Sequence, residues 1–170
     1  QGVCRSLWNW VTLGSANLLG VGTNLKFYIE NGGQYNDITP LRATVTLTNP
    51  FETTAGSPIV TVTDAAGGFK DGDFVTFSGA TAVGGLTLNE EYEISFTEAV
   101  NEYAISASAN ASSSATGGGT VTAAYQINVG TALAVPVTGW GASAWGFGTW
   151  GVGETSVESI RLWTQSNFGE

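Results

Sequence analysis

Apolar and polar residues alternate along most of this chain with a period of two. Phe27 and Ile29 alternate with Lys26, Tyr28 and Glu30, the pattern of a half-buried strand with its polar side turned to water. Leu18-Leu19-Gly20-Val21-Gly22 is a short apolar run of the kind that makes a buried strand. Leu7 to Leu13 supplies an opening strand. Asn31-Gly32-Gly33 is a strong turn signal, because glycine and asparagine tolerate positive φ. Asp37-Ile38-Thr39-Pro40 then closes a unit that reads as one antiparallel four-stranded sheet.

From about 49 to 129 the alternation continues in shorter pieces. Val60 and Val62 alternate with Thr61 and Thr63, and Asp71-Gly72-Asp73 turns into Phe74-Val75-Thr76-Phe77. Tyr92, Ile94 and Phe96 face one way while Glu91, Glu93, Ser95 and Thr97 face the other. A turn at Val100-Asn101-Glu102 leads into Tyr103 and Ile105, the second arm of a hairpin. The small, polar stretch from Ala109 to Gly119 reads as a solvent loop. Val121, Ala123, Tyr125 and Ile127 then alternate with Thr122, Ala124, Gln126 and Asn128. Five or six short strands joined by glycine-rich turns predict a small sandwich or barrel. No segment has a helical period.

The end of the chain changes style. In the run from Gly139 to Gly151, Trp140, Trp145 and Trp150 recur every five residues. That spacing matches neither the helical nor the strand period, so it predicts tight turns that lay flat apolar rings on another surface. Val157 to Trp163 alternates again, with Ile160 and Leu162 on one face. The expected organisation is therefore an outer antiparallel sheet from 1–48 and 130–170, interrupted by an inserted small β domain over 49–129. The fold class is all-β.

Composition sharpens the picture by what it lacks. Only 11% of the 170 residues are charged and the formal net charge is −9, against about 25% charged in an ordinary soluble domain. A surface dominated by Thr, Ser, Asn, Gly and Ala suits an assembled protein. The five basic residues are scattered and the balance is acidic, which argues against a tight nucleic-acid grip. No apolar run approaches the length needed to cross a membrane as a helix. The chain has no methionine and opens at Gln1, and it reads as a piece of something longer.

Catalytic chemistry has little to work with. There is no histidine, which removes Ser-His-Asp triads, Cys-His dyads and His-ligated metals together. Cys4 is the one cysteine, expected to be a packed thiol and without a disulfide partner. Glu91 and Glu93 share a strand face about 7 Å apart on average strand geometry, the raw material of a glycosidase pair. Crowded by Glu90, Glu98 and Glu102, they read better as the solvated face of an edge strand, where charge discourages unwanted pairing. Asp71 and Asp73 with Asp64 faintly suggest a calcium loop, but the EF-hand spacing is absent and a turn explains the same residues. Gly117-Gly118-Gly119 has no basic residue to complete a phosphate cradle. No catalytic, cofactor-binding or metal-binding residue is expected. The candidate contact residues are Trp140, Trp145 and Trp150, either as a buried or subunit contact or as a platform for stacking sugar rings.

Several phrases together resemble a known group. Leu19-Gly-Val-Gly-Thr-Asn-Leu-Lys-Phe-Tyr-Ile-Glu-Asn-Gly-Gly33, followed by Asp37-Ile-Thr-Pro-Leu-Arg42, resembles a blade of the propeller-like structural proteins of tailed-bacteriophage virions. That group comprises tail-tube, nozzle and packaged-DNA-stabilising components. The Gly-Trp-Gly repeat leading into Ile160-Arg-Leu-Trp-Thr-Gln-Ser-Asn-Phe-Gly-Glu170 is similar to the same group. Gly72-Asp-Phe-Val-Thr-Phe-Ser-Gly-Ala80, with Glu91-Tyr-Glu-Ile94 and Tyr103-Ala-Ile105, looks like a small β module inserted in such proteins. The resemblance implies a non-enzymatic part of the phage particle, a homo-oligomer with identical subunits and other virion proteins as partners. It assigns no functional residue and needs no cofactor. One blade cannot close a propeller, so sheets completed by neighbouring copies are expected. The alternative function is a carbohydrate-binding adhesion module, with Trp140, Trp145 and Trp150 stacking on a surface glycan.

Overall fold

Thirteen strands and no helix make up the described part of the chain, residues 1–65, 68–96 and 101–130 of the computed structural model. The tryptophan run with Trp140, Trp145 and Trp150, and the strand expected over Val157–Trp163, lie outside the described residues. All strand pairs are antiparallel, in three sheets. The all-β class read from the alternation is the class observed. The chain divides into two compact units. One comprises Gln1–Asp37 with Gly130 among the described residues, and the other comprises Ile38–Val129.

The first unit is a four-stranded meander, β1 (Cys4–Val11), β2 (Asn17–Thr23), β3 (Phe27–Asn31) and β4 (Gln34–Asp37), in the order β1-β2-β3-β4. The β3–β4 hairpin closes on two residues, Gly32 (φ 62°) and Gly33 (φ 90°), with Asn31 paired to Gln34. Two positive φ values in succession match the right-handed twist of the strands, and glycine adopts them without steric cost. Between β2 and β3 the Thr23 hydroxyl donates to the Lys26 carbonyl and accepts from the Lys26 and Leu25 amides, closing a tight loop. Asn24 ties three parts of the unit together. Its carboxamide oxygen accepts from the Val3 amide at 2.7 Å, and its carbonyl accepts from the Gly130 amide at 2.6 Å.

Lys26 departs from the alternation. Expected on the polar side of a strand, it is 2% exposed, and its ammonium group lies 2.9 Å from Asp37 Oδ2. The Thr23 loop draws Lys26 inward just before β3 begins, and the carboxylate at the end of β4 meets it. A buried ammonium needs such a partner. Because Asp37 is partly open to water, Lys26→Met is expected to cost about 1–2 kcal/mol, less than a fully buried pair. The loss should appear as faster amide exchange in β3 and β4, with Ile38–Val129 unaffected.

The second unit holds β5 (Leu41–Thr48), β6 (Phe51–Thr53), β7 (Ile59–Thr63), β8 (Phe74–Ser78), β9 (Glu91–Glu93), β10 (Ser95–Phe96), β11 (Glu102–Ser106), β12 (Ala115–Gly117) and β13 (Thr120–Gln126). These form a five-stranded sheet, β10-β11-β7-β6-β12, and a four-stranded sheet, β5-β13-β8-β9. One core joins the two sheets. Val60, Val62, Tyr103 and Ile105 come from the first, and Val75, Phe77, Val121 and Tyr125 from the second. Phe51 meets Phe77 edge-on across the gap, ring centroids 5.0 Å apart. The unit is a sandwich, and the alternation at 60–63 and 121–126 aims its apolar residues into it.

Two places close the sides of this sandwich. The ribbon β5–β6 runs antiparallel to β12–β13, and both of its strands change sheets at the same level: β5 pairs with β13 in one sheet and β6 with β12 in the other. The bend is made by Asn49-Pro50 on one strand and Gly117-Gly118-Gly119 on the other. Asn49 and Gly119 exchange hydrogen bonds there, from the Asn49 amide to the Gly119 carbonyl and from the Gly119 amide to Asn49 Oδ1. Glycine-rich corners of this kind let a strand serve two sheets. On the other side the chain passes from β9 to β10 through buried Ile94, which exchanges backbone bonds with the Asp71–Asp73 turn.

Three expectations change accordingly. The stretch 38–48, placed with the outer sheet, belongs to the second unit, because β5 pairs with β13. Of the strand expected from Glu91 onward, the described part to Phe96 is not one straight strand, since the chain passes from one sheet to the other at Ile94. Ala109–Gly119 is not a solvent loop. It carries β12, buries Ala111, and binds the Thr53 hydroxyl to the Ser113 and Ala115 carbonyls. Its small side chains allow close approach: a Cβ on Gly84 would stand 2.7 Å from the Ser113 carbonyl oxygen.

Candidate functional site

The first unit's sheet is apolar on both sides, and this is the most unusual surface of the described molecule. Register fixes the faces, because alternate residues of a strand point opposite ways. Leu7 pairs with Val21 and Val21 with Tyr28; Asn9 pairs with Leu19, Leu19 with Glu30, and Glu30 with Tyr35. Leu7, Val11, Leu19, Val21, Tyr28 and Tyr35 therefore share one face. Tyr28 and Tyr35 meet edge-on there, 6.5 Å between centroids. On the opposite face Trp8 pairs with Gly20 and Gly20 with Ile29, Trp10 pairs with Leu18, and Gly22 with Phe27. Gly20 and Gly22 carry no side chain, which leaves room for an indole on that side, a common remedy for glycine in a strand.

Much of this apolar surface is open. Leu7, Val11 and Tyr35 are each 61% exposed and Trp8 43%. An antiparallel sheet with one wet side shows apolar residues on the other side only. This sheet does not, so its chemistry is that of a layer meant to be covered. Its two outer strands, β1 and β4, have no strand partner beyond β2 and β3 among the described residues, and an open edge presents unpaired N–H and C=O groups.

The residues considered for chemistry are placed elsewhere and kept apart. Glu91 and Glu93 stand exposed on β9, the edge strand of its sheet, with Tyr92 buried between them. Glu91 Oε2 accepts from the Gln126 carboxamide at 2.6 Å. Asp73 is 1% exposed, and its carboxylate accepts from the Lys70 and Val129 amides and the Asn128 carboxamide. It caps its own turn. Asp64 is 2% exposed and accepts from the Tyr125 hydroxyl at 2.7 Å, which in turn lies 2.8 Å from the Tyr103 hydroxyl. Burial raises both phenols well above the ordinary tyrosine value, Tyr125 further through Tyr103 and Asp64. Among the described residues, no three His, Cys, Asp or Glu side chains are grouped to hold a metal ion.

Cys4 corrects a further expectation. It is exposed rather than packed, its Sγ 3.8 Å from the Ser6 carbonyl. It begins an edge strand at a register irregularity between Cys4 and Ser6. Sequence reasoning also missed the open Leu7, Val11 and Tyr35 as a group. The signal was available: apolar residues at both parities of β1, with Leu7 and Trp8 adjacent, mark a strand wanted dry on both sides.

No family model matches the chain, and no curated protein does. Among solved structures it is similar to a phage phi92 endosialidase, at 17% identity and a TM-score of 0.45. The match covers 73% of this chain and 18% of that one, so the chain spans less than a fifth of that structure's length. A likeness of this size assigns no activity.

Proposed function

We propose that the chain is a non-enzymatic structural component of a phage virion, in the tail or head-to-tail region, that works by assembling with identical subunits and other virion proteins. The observation that carries this reading is the four-stranded sheet with exposed apolar residues on both faces and, among the described residues, no strand paired to either outer edge. Such a sheet is costly in water and gains by being layered, as a propeller blade is between its neighbours. The phrases from Leu19 to Gly33 and from Asp37 to Arg42, which resemble a blade of propeller-like virion proteins, fall on this sheet and the start of the next unit. The second unit, a sandwich with its own core, serves as a docking module of the same chain. An acidic chain with scattered basic residues has weak affinity for nucleic acid, so a role beside DNA is that of a wall rather than a grip.

The test is the native mass of the whole chain by mass spectrometry and light scattering. A defined oligomer, with fragments of polysaccharide and DNA both failing to alter it, is the expected result. A chain that stays monomeric at tens of micromolar contradicts the reading.

A further inference from the structure

We propose that Asn31, at the β3–β4 turn, is a site of spontaneous deamidation, and that its conversion to isoaspartate loosens β4 as the protein ages. This stands independently of the assembly reading and goes beyond it.

The chemistry needs water and no enzyme. The Gly32 amide nitrogen attacks the Asn31 side-chain carbonyl carbon, and a new N–Cγ bond closes a five-membered imide. The Cγ–Nδ2 bond breaks, and ammonia leaves with the proton that Gly32 gives up. Water then opens the imide. Attack at Cγ restores the ordinary backbone with an aspartate at position 31; attack at the main-chain carbonyl leaves the chain running through the side chain, as isoaspartate.

The structure singles out this position. Asn31 is the only asparagine of the chain followed by glycine, and a neighbour without Cβ lets its amide approach closely. Nothing lies within 4 Å of where a Cβ on Gly32 would stand. Asn31, Gly32 and Gly33 are all exposed. The Gly33 amide donates to Glu30 Oε1, whereas among the described residues the Gly32 amide and the Asn31 carboxamide have no hydrogen-bond partner. Asn24, Asn49, Asn89 and Asn128 differ on both counts, with side chains held in hydrogen bonds and larger residues after them.

Pairing with Gln34 keeps Asn31 extended, and the imide closes only when its backbone rotates out of the strand range. That pair is the last of the β3–β4 ladder, and every residue of β4, an outer strand, is exposed. A ladder end of this kind opens at low free energy while the rest of the fold stays intact. The reaction therefore runs through the opened turn, more slowly than in an unfolded chain.

Isoaspartate lengthens the main chain by one carbon at the point where a two-residue turn sets the register. It also puts a new carboxylate beside Glu30. The Asn31–Gln34 pair is lost, and β4 is then held through Tyr35, Asn36 and Asp37 and by the Asp37 bond to buried Lys26.

The test incubates the whole chain in warm, mildly alkaline buffer and digests samples with trypsin. Cleavage after Lys26 and Arg42 releases 27–42, which carries Asn31 and, as an internal comparison, Asn36. Mass spectrometry is expected to find the amide-to-acid change at Asn31 alone, in two separately eluting products with isoaspartate in excess. Asn31→Gln should abolish it, because the larger ring closes far more slowly. Hydrogen exchange of the aged chain should rise in β4 and stay unchanged in β7 and β13. Asn31 that remains intact while a synthetic 27–42 peptide converts overturns the proposal, since the turn is then closed to the reaction. Equal conversion of Asn31 and Asn36 overturns the role given to Gly32. Unchanged exchange in β4 of the isoaspartyl chain overturns the loosening. Each of these results is read without reference to the native mass that tests assembly.

Discussion

Gly118→Ala is expected to destabilise the second unit by about 2–5 kcal/mol, the sum of backbone strain and overpacking. Gly118 sits at φ 111°, where a side chain is strained whatever the space around it, and a Cβ there would lie 2.5 Å from Phe51 Cδ2. Phe51 cannot swing aside, because it is fully buried and packed edge-on against Phe77. The corner at which both strands of the β5–β6 and β12–β13 ribbon change sheets is thus shaped to one ring. Gly56→Ala is the matched comparison: φ is 80°, but nothing lies within 4 Å of the added carbon. It should show the strain alone, about 1 kcal/mol. Urea unfolding followed by tyrosine fluorescence reads both. Equal losses for the two variants would mean that the Phe51 contact does not shape the corner. Against a typical domain stability of about 5–15 kcal/mol, the loss at Gly118 is large enough to unfold a fraction of the chain at 37 °C.

That corner also shows where the sequence is informative and where it is not. Alternation at Val60–Val62 and at Val121–Ala123–Tyr125 identifies inward-facing residues, because burial on one side of a strand imprints a period of two. Asn31-Gly32-Gly33 identifies a two-residue hairpin, since so few residues tolerate its φ values. Neither signal says which strands pair at long range. The pairing of β5 with β13 spans some eighty positions, and only the geometry at Asn49-Pro50 and Gly117–Gly119 makes it possible. The stretch 109–119 misleads for a related reason: small polar residues suit a wet loop, and they equally suit a tight seam, where Gly84 and Gly85 approach Ser113 and Ser112. Lys26 and Cys4 exchange their expected environments. For the lysine a contact eleven positions away in sequence, with Asp37, decides burial; for the thiol, its place at the start of an edge strand leaves it exposed. The contact site was legible only as a tendency. The low charge points to assembly, but the regular spacing points to Trp140, Trp145 and Trp150, which lie outside the described residues, rather than to β1.

Alkaline unfolding at lower pH than exposed tyrosines would cause is the other large effect expected. Tyr103 and Tyr125 are buried, 0% and 2% exposed, with hydroxyls 2.8 Å apart and Asp64 at the end of the chain of hydrogen bonds. Burial raises both phenols above their unfolded value of 10.0, and the Asp64 carboxylate adds to this in each case. Below pH 10 both states hold these protons and stability is unaffected. Above it the unfolded chain releases them while the folded chain keeps them, so the unfolded state binds fewer protons and stability falls as pH rises. Two phenols give a slope of about 2.7 kcal/mol per pH unit, enough to consume a marginal stability within a few units. The part of the phenolate absorbance that belongs to Tyr103 and Tyr125, isolated by comparison with Tyr125→Phe, should therefore rise in step with loss of the near-ultraviolet circular dichroism rather than before it. Tyr125→Phe should roughly halve the slope. It should also lower stability at neutral pH, since it removes a donor from buried Asp64 and leaves the Tyr103 hydroxyl without its partner across the core. Phenolate absorbance that reaches its full value while the fold remains intact would show that the pair is reached by solvent, and that the core between the two sheets is not closed at this end.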